Sequence, residues 1–189
     1  SVVERYDLHA IDLDIENADI ADTPSIERRA QAVATVQAER AAAGDELDVW
    51  LTLPASRSGL TDDGVALVTA TIDGGVDLTG VNLMTMNFGS ADEPTSDMLA
   101  ATKAALEAAV GQVADIYRGQ GVALADSERW TKLGATPMIG QNDVIGEVFT
   151  LDDAKGLADF AMAKGLGRVS TWSLNRDAPC SASFADVMV

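Results

Sequence analysis

Residues 9–17, HAIDLDIEN, carry three carboxylates at every second position. Asp12, Asp14 and Glu16 alternate with aliphatic residues, a period of two that is typical of a β-strand. The acids then share one face of the strand, about 6.6 Å apart from one acid to the next. At that spacing their side chains can hydrogen-bond and their titrations are coupled. The row is therefore suited to holding and sharing protons.

The elements that must position these acids alternate along the whole chain. Strands are predicted over residues 7–16, 47–54, 78–88, 134–141 and 167–174. Helices are predicted over residues 23–44, 61–75, 95–120, 125–132 and 150–165, with Thr23, Thr61 and Thr150 as N-caps and Gly44 and Gly165 as ends. The order βαβαβαβαβ predicts an α/β fold with a parallel sheet and helical crossovers. Sites in such folds lie at the carboxyl ends of the strands.

A parallel sheet is usually covered on both faces, which constrains the acid row. If helices cover the aliphatic side of residues 7–16, the acids face the interior, as in a closed barrel. Unpaired charges there are costly, so the acids must be protonated, share protons or lie at a solvated mouth. Glu16 is the last of the three and lies nearest the mouth.

The composition limits the classes of protein that fit. The chain has 189 residues, 47% of them hydrophobic, which is enough for one domain with a core. No apolar run reaches the ~18 residues of a membrane helix. Single Cys180 and His9 residues exclude a disulfide framework, a cysteine-rich metal site and a multi-histidine metal cage.

The net charge is −17, from 30 acidic and 13 basic residues. This excess argues against binding to a nucleic-acid backbone, which requires clustered Lys and Arg. It fits a neutral or cationic partner. The acids are spread along the chain, which favours a role in solubility or a saline habitat.

Five segments in order carry a family resemblance. DLDIE (12–16) resembles the DxDxE motif of glycoside hydrolase family 18, the chitinases and related endo-β-N-acetylglucosaminidases. Each of the other four falls at the end of a predicted strand, and together they resemble the bacterial and archaeal chitinase branch. They are LTLPASRSGLT (51–61), VNLMTMNFG (81–89), TPMIGQND (136–143) and TWSLNRD (171–177).

The resemblance implies a TIM (β/α)8 barrel whose fourth strand carries the acid motif. Residues 1–189 would then be the C-terminal part of a single catalytic domain, holding strands four to eight and lacking the first three. Five strands agree with this, since a whole barrel takes about 250 residues. A five-stranded arc would expose two unpaired edges. We therefore expect a second chain or a further segment to complete the barrel.

The resemblance also implies a reaction, the hydrolysis of β-1,4-linked N-acetylglucosamine polymers with retention of configuration. In this family the 2-acetamido oxygen of the substrate attacks the anomeric carbon and forms an oxazolinium. Glu16 would be the general acid and then the general base. Asp14 would share a proton with Asp12 or Glu16 and hydrogen-bond the acetamido N–H. Asp12 would take up the proton that lets Asp14 turn. The alternative is an acidic strand face without chemistry.

Residues at the end of the third predicted strand would bind substrate. The family branch commonly has Asp-Tyr where this chain has Asn87 and Phe88, so a carboxylate and a hydroxyl that hold the acetamido group are lost. Asn87 can still donate to or accept from a sugar. Met84 and Met86 would also line the site, and filling of the barrel interior is at least as good an explanation for both.

Later segments add further candidate contacts. Trp172 occupies the position of the family tryptophan that forms the floor of the −1 sugar site, where an aromatic face suits a pyranose. Gln141 and Asn142 would bind sugar hydroxyls, with loop capping as an equal alternative. The Arg176–Asp177 pair is predicted to be a structural ion pair at the mouth.

Three remaining residues receive structural interpretations. Trp50 lies early in its strand and is assigned to the core, whereas Trp130 fits either a sugar platform or core packing. His9 faces the helical side by alternation.

The family implies chitin or N-acetylglucosamine oligosaccharides as partners, secretion, and no metal or cofactor. Nucleic acid and membrane are not expected partners. The alternatives are a non-catalytic chitin-binding relative and an endo-β-N-acetylglucosaminidase. Non-catalytic members usually lose the terminal Glu of the motif, which this chain keeps as Glu16.

Overall fold

A computed structural model describes residues 2–177 of the chain. Its main sheet is parallel and has the order β1-β2-β4-β5-β8, and the short β3 pairs antiparallel with β2. These strands are β1 Ala10–Asp14, β2 Asp48–Ser56, β3 Gly59–Leu60, β4 Gly80–Met84, β5 Leu133–Thr136 and β8 Arg168–Val169. The five predicted strands and their parallel pairing are confirmed.

Helices connect the parallel strands, as the sequence predicts. They are α1 Val2–Tyr6, α2 Thr23–Ala42, α3 Asp62–Asp73, α4 Met98–Gly119, α5 Asp126–Thr131 and α6 Leu151–Lys164. The hydroxyls of Thr61 and Thr150 cap α3 and α6, and Gly165 ends α6 in a left-handed conformation. The N-cap predicted for α2 was wrong by one residue, because Asp22 rather than Thr23 accepts the backbone N–H of Ser25.

The sheet has two chemically distinct faces. One face packs against the helices through aliphatic side chains, among them Leu51, Leu53 and Leu83, which are fully buried. Ile11 and Leu13 of β1 join this core as partly buried residues. The helices therefore cover the aliphatic side of the acid strand, as predicted.

The opposite face is polar and concave. Register places Asp12 beside Trp50, Thr52 beside Asn82, and Gly134 beside Arg168 on this face. In a flat sheet the first and fifth strands would lie about 19 Å apart. The Arg168 guanidinium on β8 nevertheless forms an ion pair with the Asp12 carboxylate on β1. The sheet is thus a half-barrel, and the acids lie on its concave face.

Two predicted strands are shorter than expected. The segment 134–141 divides, because Gly140–Gln141 leaves the main sheet and pairs with Val148–Phe149 as a β6–β7 hairpin. The segment 167–174 keeps only β8 in the sheet, followed by a parallel bridge between Met138 and Trp172. Both departures occur at the carboxyl end of the sheet, where the loops carry the predicted site residues.

Across residues 2–177, no helix is both long enough and apolar enough to cross a membrane. Trp50 is buried, as predicted. Trp130 packs edge-on against Phe160 at a centroid distance of 5.7 Å, which corresponds to the packing interpretation. His9 lies at the surface, with its Nδ1 3.1 Å from a carboxylate oxygen of Asp45. Cys180 lies outside the described residues.

Close packing at Gly80 predicts that alanine substitution there changes the free energy of unfolding differently from substitution at Gly111 in α4. A Cβ added at Gly80 would lie 2.5 Å from the Trp50 ring and 2.9 Å from the Lys132 carbonyl oxygen. Gly80→Ala should therefore lower the free energy of unfolding by about 1–3 kcal/mol. Gly111→Ala in α4 meets no atom within 4 Å and should raise it by about 0.5–1 kcal/mol. Chemical denaturation measures both, and equal effects would contradict the close packing at Gly80.

Candidate active site

The end of β1 opens into a cavity of about 190 Å³ that brings most of the predicted catalytic and binding residues together. The cavity lies at the carboxyl ends of the strands, where parallel sheets place their sites. The residues around it come from four segments of the chain. They are Asp14, Glu16, Met84, Met86, Asn87, Met138, Asp143 and Trp172.

Asp14 and Glu16 form a hydrogen-bonded pair of carboxyl groups in this cavity. Burial raises the pKa of Glu16, and the charge of Asp14 and their mutual hydrogen bond raise it further. Burial also raises the pKa of Asp14, as does the charge of Asp12, while the hydrogen bond with Glu16 opposes this. The two groups therefore bind a shared proton at higher pH than isolated carboxyl groups do.

Asp12 is held differently from the other two acids. Its carboxylate accepts a hydrogen bond of 2.7 Å from the Thr52 hydroxyl and pairs with the Arg168 guanidinium, which itself stacks on the Trp50 ring. The Asn82 amide donates in turn to Thr52, at 3.0 Å. Asp12 thus ends a row of donors that crosses the concave face.

No pattern in the sequence identifies Arg168 as a residue of the site. Alternation alone places it on the concave side of β8, but its pairing with Asp12 depends on how far the sheet curls.

The predicted Arg176–Asp177 pair is replaced, since Arg176 donates to the backbone carbonyls of Ile139 and Gln141.

Sulfur and aromatic groups form the wall facing the acids. Met86 and Met138 are buried and Met84 is half-buried, so the methionines both fill the interior and line the cavity. Trp172 is 53% exposed, although it borders the same cavity. An aromatic face left open beside two carboxyl groups can receive a flat, weakly polar ring.

Asn87 lies in the cavity wall but uses its side chain within the protein. It adopts a left-handed conformation with φ 52°. Its amide donates to the Asp143 carboxylate at 3.0 Å, and its carbonyl oxygen accepts the Asp143 backbone N–H at 3.0 Å. Asp143 is a cavity residue that the sequence analysis missed, although it ends the quoted TPMIGQND segment.

The remaining predicted binding residues lie outside the cavity lining. Phe88 packs against the core and borders a separate cleft. Asn142 is 4% exposed and donates to the Met138 carbonyl oxygen. The Gln141 amide donates to the carbonyl oxygens of Asn142, Val144 and Glu147. For Gln141 and Asn142 this geometry corresponds to the loop-capping alternative.

The coupled pair predicts a pH effect on stability. The raised pKa of Glu16 means that the folded state binds a proton more tightly than the unfolded state. Its favourable contribution is therefore complete below the unfolded pKa and is lost as pH rises through the folded pKa. Asp14→Asn should lower the pKa of Glu16 and stabilise the protein at neutral pH but not in acid.

Carbon-13 NMR of the Glu16 carboxyl group and thermal unfolding at two pH values measure these effects. Asp19→Asn, in the exposed turn that follows Glu16, is the matched control and should change neither quantity. An unchanged Glu16 titration in Asp14→Asn would show that the two groups are not coupled.

Comparison with known proteins finds relatives of one kind. No protein-family model matches the chain. A probable bifunctional chitinase/lysozyme from Escherichia coli is 38% identical over 94% of this chain and 20% of its own length. Endochitinase 11 from Metarhizium anisopliae is 37% identical over 95% of this chain and 35% of its own length. The chain thus spans about a fifth to a third of these curated relatives.

Solved structures give the same result for the fold. The catalytic domain of a hyperthermophilic chitinase from Pyrococcus furiosus matches with a TM-score of 0.80 and 31% identity. The match covers 95% of this chain and 54% of that domain. Catalytic-site mutants of active domain 2 of a thermostable P. furiosus chitinase, solved with chito-oligosaccharides, match equally well at 30% identity. The resemblance seen in the motifs is confirmed, and in both sequence and fold the chain is similar to part of a chitinase catalytic domain.

Proposed function

We propose that this chain provides the acid/base half of a chitinase active site. The protein would hydrolyse β-1,4 linkages between N-acetylglucosamine residues by a retaining, substrate-assisted mechanism. The observation that carries this is the hydrogen-bonded Asp14–Glu16 pair, whose pKa values are raised, in a cavity bordered by Trp172. A carboxyl group with a raised pKa keeps its proton to higher pH than a free carboxyl group does, which suits it to act as a general acid.

Glu16 is the proposed general acid. It donates its proton to the glycosidic oxygen as the bond from that oxygen to the anomeric carbon breaks. The acetamido oxygen of the same sugar attacks the anomeric carbon and forms an oxazolinium. The Glu16 carboxylate then accepts a proton from water as that water opens the ring, which restores Glu16 and retains the configuration.

Asp14 and Asp12 have separate proposed roles. Asp14 exchanges its hydrogen bond with Glu16 for one to the acetamido N–H of the substrate. Asp12 acts as a fixed anion, because Thr52 and Arg168 both donate to its carboxylate. The role expected from the family, in which Asp12 takes up a proton as Asp14 turns, would first require the Arg168 ion pair to break. The mobile proton then belongs to the Asp14–Glu16 pair.

Substrate contacts follow from the cavity wall. Trp172 presents an exposed face on which a sugar ring can stack. Asp143 supplies a carboxylate at the border of the same cavity, bonded to Asn87. Contacts from Gln141, Asn142 and Phe88 would require their side chains to leave their present partners.

The half-barrel also needs a partner surface. The main sheet ends at β1 on one side and β8 on the other, and Trp172, Leu151 and Leu174 are exposed. We propose that a further segment or a second chain pairs with these edges and completes the barrel, since open strand edges favour pairing. Secretion is likewise a proposal and follows from the family alone.

The catalytic proposal predicts the behaviour of Glu16→Gln. Removing the proton donor should lower kcat by about 10²–10⁴-fold with little change in KM. The assay is the release of a chromophore from chitobiose and chitotriose substrates. Glu27→Gln is a matched control, because Glu27 is exposed on α2 and outside the cavity. Equal turnover by wild type and Glu16→Gln would contradict the proposal.

Two other outcomes identify the alternatives. Calorimetric binding of chitotriose without turnover by wild type would favour a non-catalytic chitin-binding protein. Cleavage of a high-mannose glycoprotein but not of chitin oligomers would favour an endo-β-N-acetylglucosaminidase.

If a further segment or chain completes the barrel, the active protein must have a larger mass, which can be measured. The 189 residues have a mass of 19.7 kDa. We expect active protein to have a larger mass, either as one longer polypeptide in denaturing mass spectrometry or as a complex in sedimentation. Full activity from a particle of 19.7 kDa would show that no completing segment is needed.

A further inference from the structure

Glu147 is a buried carboxylate for which the proposed reaction has no use. It is fully buried, at 0% exposure, in the loop between β6 and β7. An isolated Glu in a loop carries no sequence signal, so its role could not be predicted from the sequence. An ionised group in such a position is costly unless it is paired and hydrogen-bonded.

The partners of this carboxylate are backbone groups of one neighbouring loop. One oxygen, Oε2, accepts the N–H of Phe88 at 3.0 Å. The other, Oε1, accepts the N–H of Gly89 at 2.6 Å and of Thr95 at 2.9 Å. Charge-assisted bonds of this kind are about twice as strong as neutral ones. The carboxylate therefore joins the loop after β4 to the loop after β5.

Close packing shows that the loop is shaped around this carboxylate. A Cβ added at Gly89 would lie 2.4 Å from the Glu93 carbonyl oxygen, 2.7 Å from Glu147 Oε1 and 2.9 Å from the Thr95 nitrogen. Only a residue without a side chain lets the backbone approach the carboxylate so closely.

The two loops joined by Glu147 both contribute residues to the cavity wall. Met86 and Asn87 immediately precede Phe88, and Met138 and Asp143 belong to the other loop. A second link lies beside the first, since Asn142 Oδ1 accepts the Asn87 N–H at 3.1 Å and the Asn142 N–H donates to the Glu147 carbonyl at 2.8 Å. Movement of the Phe88 N–H would therefore displace Asn87 and the Asp143 carboxylate bonded to it.

We propose that Glu147 is a positioning residue, which fixes the Asn87–Asp143 wall of the cavity by clamping the backbone of residues 88–95. It touches no substrate and takes no part in proton transfer. Its relevance to turnover rests on the proposed chitinase function, whereas its effect on the loop does not.

Glu147→Gln tests the clamp with almost no change in volume. An amide offers one acceptor oxygen, which can keep the Gly89 and Thr95 bonds, and places an NH₂ donor against the Phe88 N–H. Hydrogen exchange measured by NMR should therefore become at least about tenfold faster at Phe88 than in wild type. In turnover of chromogenic chitotriose, kcat should fall about tenfold or more with KM within about twofold, because a displaced wall affects alignment.

The matched control is Gln112→Ala, which removes another side-chain clamp on the backbone, at Leu60 of β3. Gln112 holds the N–H and the carbonyl of Leu60, at 2.9 and 3.0 Å, and lies outside the cavity. It should lower the melting temperature without changing exchange at Phe88 or the ratio of kcat to KM. Gly89→Ala, which crowds both the Glu147 carboxylate and the Glu93 carbonyl oxygen of the clamped loop, should likewise lower kcat.

Each result decides the proposal. Unchanged exchange at Phe88 in Glu147→Gln would overturn the clamp. Faster exchange with wild-type kcat and KM would overturn the positioning role. If wild type with its barrel completed neither turns over nor binds chitotriose, the proposed function fails, and exchange at Phe88 still decides whether Glu147 holds the loop.

Discussion

The structure depends on one constraint, which is the in-register pairing of parallel strands with alternating side chains. Register forces every second residue of each strand to the same face as its neighbours. Aliphatic residues then form one continuous core beneath the helices, and polar residues form a row across the other face. The pairing of Arg168 with Asp12 across four strand intervals requires that this row be concave. The acid motif is thereby turned from a surface pattern into the wall of a cavity.

Carboxylates on this scaffold differ in the donors that surround them. Asp12 has a guanidinium and a hydroxyl, and Glu147 has three backbone N–H groups. Asp14 and Glu16 have each other as hydrogen-bonding partners, and their pKa values are raised. A carboxylate surrounded by donors is suited to a fixed charge, whereas a carboxyl pair with a shared proton is suited to proton transfer. Carboxyl groups thus serve both to build the site and to supply its chemistry.

Elements with a strong period were predictable from the sequence, and contacts between loops were not. Alternation over β1 gave both the strand and the face that the acids occupy, because burial of Ile11 and Leu13 leaves no other register. Gln141 and Asn142 lie at the end of a predicted strand and look like site residues, yet their amides donate to carbonyl oxygens of the loop. Arg168, Asp143 and Glu147 acquire their roles from partners that are distant in sequence. No local pattern specifies such partners, since they depend on sheet curl and on the path of two loops.

The Asn87–Asp143 contact shows how a departure from the family pattern can be accommodated. Where the resembled branch has Asp, this chain has Asn87, whose amide donates to Asp143 while its carbonyl accepts the Asp143 and Val144 N–H groups. An Asp at position 87 could make the latter bonds but would oppose its second oxygen to the Asp143 carboxylate. Asn therefore removes a repulsion between two anions at the border of the cavity. The negative charge at this wall lies on Asp143, whereas the resembled branch has it at the position of Asn87. The hydrogen bonds between Asn87 and Asp143 hold the Asp143 side chain in place.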